Sequence, residues 1–524
     1  MRTLTEIAYM MRTRITPTLA LIALSLAACA ARPDDGTRKD DGQIKKVLRQ
    51  IAPFVRDGMQ KTGVPGVAVA VVYRDKVVYL EGFGIRKAGK EQAVTPDTVF
   101  QLASVSKPLA STVVASLVGD GQVSWDDRIV DLDPEFRLSD ARVTQQLTIR
   151  DLLSHRSGLP TSAGDALEDL AFTRPVILHQ MRLLPLTGEF RKTYEYSNFG
   201  YTEGAIAAAK AVRVQWEDLA FRRLFQPLGM TSSSYRYSDY ENRPNKASIH
   251  VIIDGKAVAR YHRDPDAEAP AGAASSSVRD LAEWLRLQLA GGVWNGQSIV
   301  ARNALDETHA PQIQNGTNND TGKPTYYGLG WGVSNDRSGE VVLSHSGAFF
   351  IGTGTTVRFS PSKQLGIIVL TNAQPTGLAE ATANTFFDNF DYGQPTRDWL
   401  TLFSGAFKAK IEESNNATSD YSKLTPPSSP APSKPLSAYV GAYCNNYYGR
   451  IEVFEQGGSL WMRFPDDGRL YTLTHWDGDK FTYRFEEEQG IGTRGVAFAF
   501  TGAGTMSIEN LALEGSGEFA RCAQ

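Results

Sequence analysis

Cysteine is scarce in this chain, with three in 524 residues. That excludes a disulfide-rich scaffold. Seven histidines are scattered without a ligand-like cluster, so no metal and no cofactor is expected. Neither sign of charge is in excess. Lys+Arg is 55 against Asp+Glu 58, a formal net charge of -3, and the missing basic footprint argues against a nucleic-acid partner. What is present is 42% apolar and 22% charged, enough for real cores. The length allows roughly two to four domains.

Residues 11–29 read MRTRITPTLALIALSLAAC. Arg12 and Arg14 make a positive start, and Leu19 to Leu26 form an apolar core far shorter than the roughly 20 residues that span a bilayer. The stretch reads as an export signal. Leu26-Ala27-Ala28-Cys29 resembles the bacterial lipobox, whose cysteine is lipidated; an ordinary signal peptide containing a cysteine is the alternative. The expectation is a lipoprotein signal peptide over 1–29 and a polar tether over 30–43. The protein would then be exported to the periplasm or cell envelope and held on the outer membrane through Cys29. Cys444 and Cys522 are a candidate disulfide in that oxidising compartment.

From Ile44, the apolar positions Val47, Ile51, Val55 and Met59 recur every four residues, which predicts an amphipathic helix. GVAVAVVY and KVVYLEGFG, separated by Arg74-Asp75, predict a hairpin. Thr355 to Phe359 and LGIIVL (365–370) predict further strands of the same sheet. Antiparallel strands around a long helical middle indicate an α+β domain over 44–400. The segment 401–436, with TPPSSPAPSKP, reads as a Pro/Ser-rich linker. Residues 437–524 are aromatic-rich and strand-patterned, with turn signals at Gly457-Gly458 and Asp477-Gly478-Asp479. They predict a small antiparallel barrel or sandwich. Its Trp461, Tyr471, Trp476 and Tyr483 are expected in the barrel core, with a ligand cavity as the alternative.

Ser104-Val105-Ser106-Lys107 stands at the start of a helix marked by Leu109, Val113 and Leu117. Ser104 at that N-terminus is placed for nucleophilic attack, since free N–H groups there favour developing negative charge. Lys107, one turn on, can reach the hydroxyl. An alcohol needs such a neighbour to accept its proton, and burial lowers a lysine's pKa enough for that work. Tyr196-Ser197-Asn198 precedes an Ala-rich helix. A lysine nearby would favour a Tyr196 phenolate, and the Asn198 amide can bond both the lysine and a substrate carbonyl. His345-Ser346-Gly347 precedes a Gly-rich strand.

In that order, and with TIRDLLSHRSGL (148–159), QPLGM (226–230), PAGAASS (270–276), YGLGWG (327–332) and LTN (370–372), these motifs resemble the class C β-lactamase and penicillin-recognising serine hydrolase family over roughly residues 45 to 395. The resemblance implies Ser104 as acylated nucleophile, with Lys107 and Tyr196 sharing acid/base work. It implies Asn198, His345 and Gly347 as substrate-binding residues, and the backbone N–H groups of Ser104 and Ala348 as oxyanion hole. The C-terminal segment resembles the lipocalin-like barrel appended to many such hydrolases.

The family's β-lactamases carry Lys-Thr-Gly where this chain has His345-Ser346-Gly347. A histidine is a weaker partner for a substrate carboxylate, and His-x-Gly resembles the D-aminopeptidases and esterases instead. His155, in the matching string, reads as a buried structural histidine. The expected function is hydrolysis through an acyl-enzyme of amide bonds in small or D-residue-containing peptides. A carboxylesterase or weak β-lactamase is the alternative, and a non-catalytic penicillin-binding or sensing lipoprotein is the alternative of another class. Expected partners are a small peptide, ester or β-lactam-like substrate, the membrane through the lipid anchor, and further copies of the chain.

Overall fold

The computed structural model describes residues 36–524 except 320, 465–467, 503 and 524, with side chains from residue 42. The expected signal peptide, with Cys29, lies outside the described residues. Two compact units are separable, residues 1–45 and 46–524. The described part of the first is the opening of helix α1 (Gly36–Thr62). The helix therefore starts ahead of Ile44, inside the stretch expected as a tether. No proline stands between Pro33 and Pro53 to oppose it.

In the larger unit Val47, Ile51 and Val55 are buried, as their spacing predicts. Strands β1 (Gly66–Tyr73) and β2 (Lys76–Gly84) form the expected hairpin. Its two turn residues, Arg74 and Asp75, both sit at positive φ (47° and 57°), the geometry of a tight two-residue turn. Every residue of β1 is buried, so this strand has cover on both faces and no polar alternation. Strands β3 (Ile313–Thr317), β4 (Pro324–Tyr327), β5 (Gly332–Asn335), β6 (Val341–Phe349), β7 (Thr353–Ser360) and β8 (Leu365–Thr371) complete an antiparallel sheet in the order β2-β1-β8-β7-β6-β5-β4-β3.

Five helices frame this sheet: α2 (Ser106–Gly119), α3 (Ile149–Leu153), α4 (Asn198–Ala211), α5 (Val278–Leu289) and α6 (Leu378–Tyr392). Helix α5 lies against the face that Gly366 presents, where a Cβ would meet Leu285 at 2.8 Å. Helix α6 lies against the other face, where Arg358 stacks on Phe387. Helix α2 is buried from Ser106 to Leu117. Trp284 of α5 donates to its Thr112 at 3.1 Å. A helix enclosed all round needs no amphipathic stripe, and this burial holds its N-terminus rigidly beside β6.

The segment expected as linker is helical in its first part. Helix α7 (Trp399–Asn416) continues to where residues 399–416 contain no proline, and it packs on α6 through Trp399 and Leu400. Between the 3-10 turns Tyr421–Lys423 and Leu436–Ala438 the Pro-rich remainder forms no helix or strand, and it is tied to the barrel: Gly478 N donates to Ala431 O at 2.9 Å and Lys434 Nζ to Asp479 at 2.7 Å.

Strands β9 (Gly441–Asn445), β10 (Gly449–Gln456), β11 (Ser459–Arg463), β12 (Leu470–Asp477), β13 (Lys480–Glu487), β14 (Gly490–Ala499), β15 (Thr505–Ile508) and β16 (Glu518–Arg521) close into an antiparallel barrel. Gly457 and Gly458 take the left-handed conformation that a two-residue turn between β10 and β11 requires. Side chains fill the interior, among them Tyr439, Tyr443, Phe481, Tyr483 and Phe498. Tyr471 packs on that core, whereas Trp461 and Trp476 are half-buried. Cys444 and Cys522 are disulfide-bonded at the β9/β16 seam.

Candidate active site

Ser104 lies in a short 3-10 turn, Ala103–Val105, that leads into α2. Ala103 before it has φ 48°, a left-handed conformation that costs a non-glycine residue about 1 kcal/mol or more. The turn aims the Ser104 hydroxyl at two side chains. Lys107 Nζ donates to Ser104 Oγ at 3.1 Å, and Tyr196 Oη at 2.8 Å. Lys107 is fully buried, and its other two donors go to Asn198 Oδ1 (2.8 Å) and Ala271 O (3.1 Å). Burial lowers its pKa to about 8, against the pull of Glu268, Asp165 and Glu168. A lysine so placed is a usable base near neutral pH.

Tyr196 behaves differently from the sequence expectation of a phenolate. Burial raises its pKa well above 10, and Tyr194, Glu268 and Asp165 raise it further. Burial dominates, outweighing the hydrogen bond to Ser104 that favours the phenolate, so Tyr196 rests as a neutral phenol. His155 stands behind it, ring centroids 4.4 Å apart, and accepts from Ser197 N through Nδ1 at 3.2 Å. Burial and Lys107 hold His155 neutral. It is a buried structural group, as read from the sequence. The rest of its string is structural too. Thr148 and Asp151 form a capping box, and buried Asp151 pairs with Arg156 (2.7 Å) and Arg191 (2.8 Å).

Asn198 opens α4, capped by Ser197, whose hydroxyl accepts from Gly200 N at 3.0 Å. On β6, a Cβ at Gly347 would lie 2.2 Å from Leu102 O and 3.1 Å from Ser104 N. Only glycine lets the strand run this close to the serine's backbone. His345 is buried between Tyr327 Oη (2.8 Å) and Ser346 O (2.7 Å). A carbonyl only accepts, so Nδ1 carries the proton and Nε2 accepts from Tyr327. Burial and Lys107 push its pKa down to about 3. His345 is therefore uncharged.

These residues line a cleft of about 650 Å³ that contains Ser104, Tyr196, Asn198, His345 and Ala348. The same cleft holds groups that sequence reading missed. Arg263 Nη2 donates to Glu168 and to Glu268 Oε1 (3.2 Å). Asp165 accepts weakly from Asn198 Nδ2 (3.3 Å). Glu268 stood two residues before the quoted PAGAASS, so proximity to a motif was the available signal. Glu488 and Gln489 come from the barrel, at the tip between β13 and β14. In sequence, EEEQG reads as a solvated turn. A larger cavity of about 740 Å³, lined by Phe136, Trp216 and Lys210, holds none of the motif residues.

A family model described as beta-lactamase matches residues 51–387. The chain belongs to this family. It has the beta-lactamase fold, a serine hydrolase family, with an all-β barrel at its C-terminus. A second model, a domain of unknown function, matches residues 425–516. Among curated relatives, an unguisins hydrolase of Aspergillus campestris is 26% identical over 436 residues, covering 77% of each chain. Protein flp of Staphylococcus aureus is 22% identical over 335 residues, covering 62% of this chain and 63% of that protein. The structure of an octameric penicillin-binding protein homologue from Pyrococcus abyssi superposes with a TM-score of 0.58 at 19% identity, over 88% of this chain and 98% of that one.

Proposed function

We propose that the protein is an exported serine hydrolase that cleaves amide bonds of small or D-residue-containing peptides through an acyl-enzyme on Ser104. The observation that carries this reading is the Ser104 hydroxyl shared by Lys107 Nζ and Tyr196 Oη. Neutral Lys107 takes the serine proton as Ser104 Oγ attacks the carbonyl carbon. The backbone N–H groups of Ser104 and Ala348 receive the oxyanion, each such donor contributing about 3–4 kcal/mol in well-studied cases. Tyr196 then gives its proton to the leaving nitrogen and is reprotonated from Lys107. Water attacks the ester, its proton passing to the same pair, and Ser104 leaves with a proton restored. Asn198 holds Lys107 and offers its amide to the substrate.

Uncharged His345 supports a peptidase over an efficient β-lactamase, because it gives a substrate carboxylate no ion pair. Turnover of esters without peptides would make the carboxylesterase reading the better one. Export and an outer-membrane lipid anchor at Cys29 rest on the N-terminal sequence alone. Assembly into a homo-oligomer is in keeping with the octamer named for the Pyrococcus abyssi neighbour.

Intact-mass spectrometry with a fluorophosphonate, and separately with penicillins, tests the reading. A single adduct on the wild type and none on Ser104→Ala is the expected result. Absence of any adduct would transfer the weight to a non-catalytic binding protein, and rapid penicillin turnover to a β-lactamase.

A further inference from the structure

A pocket of about 270 Å³ lies on the α6 face of the sheet and shares no lining residue with the Ser104 cleft. Arg358 of β7 lines it, with the guanidinium 5.1 Å from the centre of the Phe387 ring. Among the described residues this guanidinium makes no hydrogen bond and no ion pair. Its Nε is sealed, whereas the outer nitrogens are not, and the side chain is only half-buried. An arginine carries five donors, and an enclosed one normally spends them on carboxylates or carbonyls.

Three aspartates share the pocket, but other groups hold them. Lys363 Nζ donates to Asp336 and to Asp391, both at 2.7 Å. Asp388 Oδ2 accepts from Thr396 N (2.7 Å), Thr396 Oγ1 (2.6 Å) and Trp399 Nε1 (2.6 Å). Burial lowers the Arg358 pKa although Asp388, Asp391 and Asp336 raise it, so these acids do not replace the water the guanidinium has lost. It remains charged all the same. Exposed Arg337, on the turn between β5 and β6, brings a second positive charge to the rim, 6.0 Å from the Tyr392 ring.

The wall beside these charges is apolar and open. Tyr392 of α6 is 44% exposed and Leu402 of α7 46%, and both line the pocket with Phe387. A guanidinium's flat fork meets a planar carboxylate through two parallel hydrogen bonds. A bare phosphate would shed hydration against the apolar wall and gain nothing from it. A carboxylate on a hydrocarbon or aromatic body uses both parts.

We propose that this pocket binds a small carboxylate with an apolar body, the carboxylate on Arg358 and the body against Phe387, Tyr392 and Leu402. The site is separate from Ser104, and its test involves no turnover.

Calorimetry on the full-length protein at pH 7.0 and low salt would compare 3-phenylpropionate with neutral 3-phenylpropanamide and with inorganic phosphate. The carboxylate should bind about tenfold or more tighter than either, the scale of one hydrogen bond to a charged group. Arg358→Met should remove its preference over the amide. Should that variant fail to fold, Leu402→Asp on the exposed rim takes its place. It puts a like charge where the apolar body lies and should weaken the carboxylate by about threefold or more. Equal binding of the amide, equal or tighter binding of phosphate, or no detectable binding of the carboxylate overturns the proposal. So does a preference that survives Arg358→Met, or carboxylate binding unmoved by Leu402→Asp.

Discussion

Glu488 of the barrel accepts the backbone N–H of Phe350 at 2.5 Å, two residues past Ala348 on the strand end that borders the serine. Its other oxygen takes Ile351 N at 3.4 Å. Next to it, Gln489 N donates to Asp169 at 2.8 Å, and Glu514 accepts from Gly164 N (2.6 Å) and Ala166 N (2.7 Å) on the loop that carries Asp165. The barrel thus grips both the end of β6 and the acidic loop, and part of the cleft's geometry is made outside the hydrolase sheet.

Replacing Glu488 by Ala should therefore slow fluorophosphonate labelling of Ser104 by about tenfold or more, since small displacements of catalytic groups are costly. It leaves two amides without acceptors, worth about 1–3 kcal/mol each where they stay dry. Labelling kinetics on folded variant, checked by circular dichroism, reads the effect. A rate equal to wild type would show that the barrel contact does not position the strand end.

The labelling rate should rise with pH through a midpoint near 8 and level off above it. Lys107 acts as base only when neutral, and burial has brought its pKa down to about 8. Tyr196 stays protonated throughout this window because its pKa lies well above 10. Tyr196→Phe should keep the labelling midpoint while losing about 10²-fold or more in the rate of amide hydrolysis, where the leaving nitrogen needs its proton. A pH-independent rate between 6 and 9 would remove Lys107 from the role of base.

Thermal stability should fall between pH 5 and 8. Burial raises Glu168 and Asp169 to about 8, and Glu268, Glu488 and Glu514 to about 7. In the unfolded chain these acids are ionised across that window. The folded state therefore holds more protons, and its stability drops as pH rises through the folded pKa values. Below 6.5 the sign reverses for His155 and His345, which burial keeps neutral while the unfolded chain protonates its histidines. Two histidines do not outweigh five such acids, so melting temperatures should fall from pH 5 to about 8 and level off above it. A steady rise to pH 8.5 would contradict the buried-acid assignment.

Local pattern was enough for the β1–β2 hairpin, the α2 helix and the reach of Lys107 to Ser104, because periodicity and short motifs encode them within one or two turns, whereas the meeting of this pair with Tyr196 and Asn198 was legible only through the family resemblance. Three features escaped for physical reasons. A Tyr196 phenolate follows from one cation alone, whereas burial, with Tyr194, Glu268 and Asp165 adding to it, keeps the ring protonated. Helix α7 was hidden by the prolines that follow it, which dominated the composition of the whole segment. Glu488 belongs to a hairpin whose charges look solvated until the barrel docks, and no local rule reports a contact with Phe350 across 138 residues of chain.

The disulfide should matter to the cleft as well as to the barrel. Cys444 and Cys522 are 78 residues apart in sequence, and closing a loop of that length is worth about 4 kcal/mol in the chain-entropy model. The bond joins β9 to the segment after β16, and Asn445 next to Cys444 donates to Ser516 O and Glu518 O, both at 2.8 Å. Glu514, which grips the acidic loop, stands two residues before Ser516. Loosening this seam therefore frees the very turn that holds Gly164 and Ala166. Cys444→Ser with Cys522→Ser should lower the melting temperature by several degrees and, at temperatures where the variant remains folded, also slow Ser104 labelling. A variant with lowered melting temperature but an unchanged labelling rate would separate the two effects. It would confine the disulfide's role to the barrel.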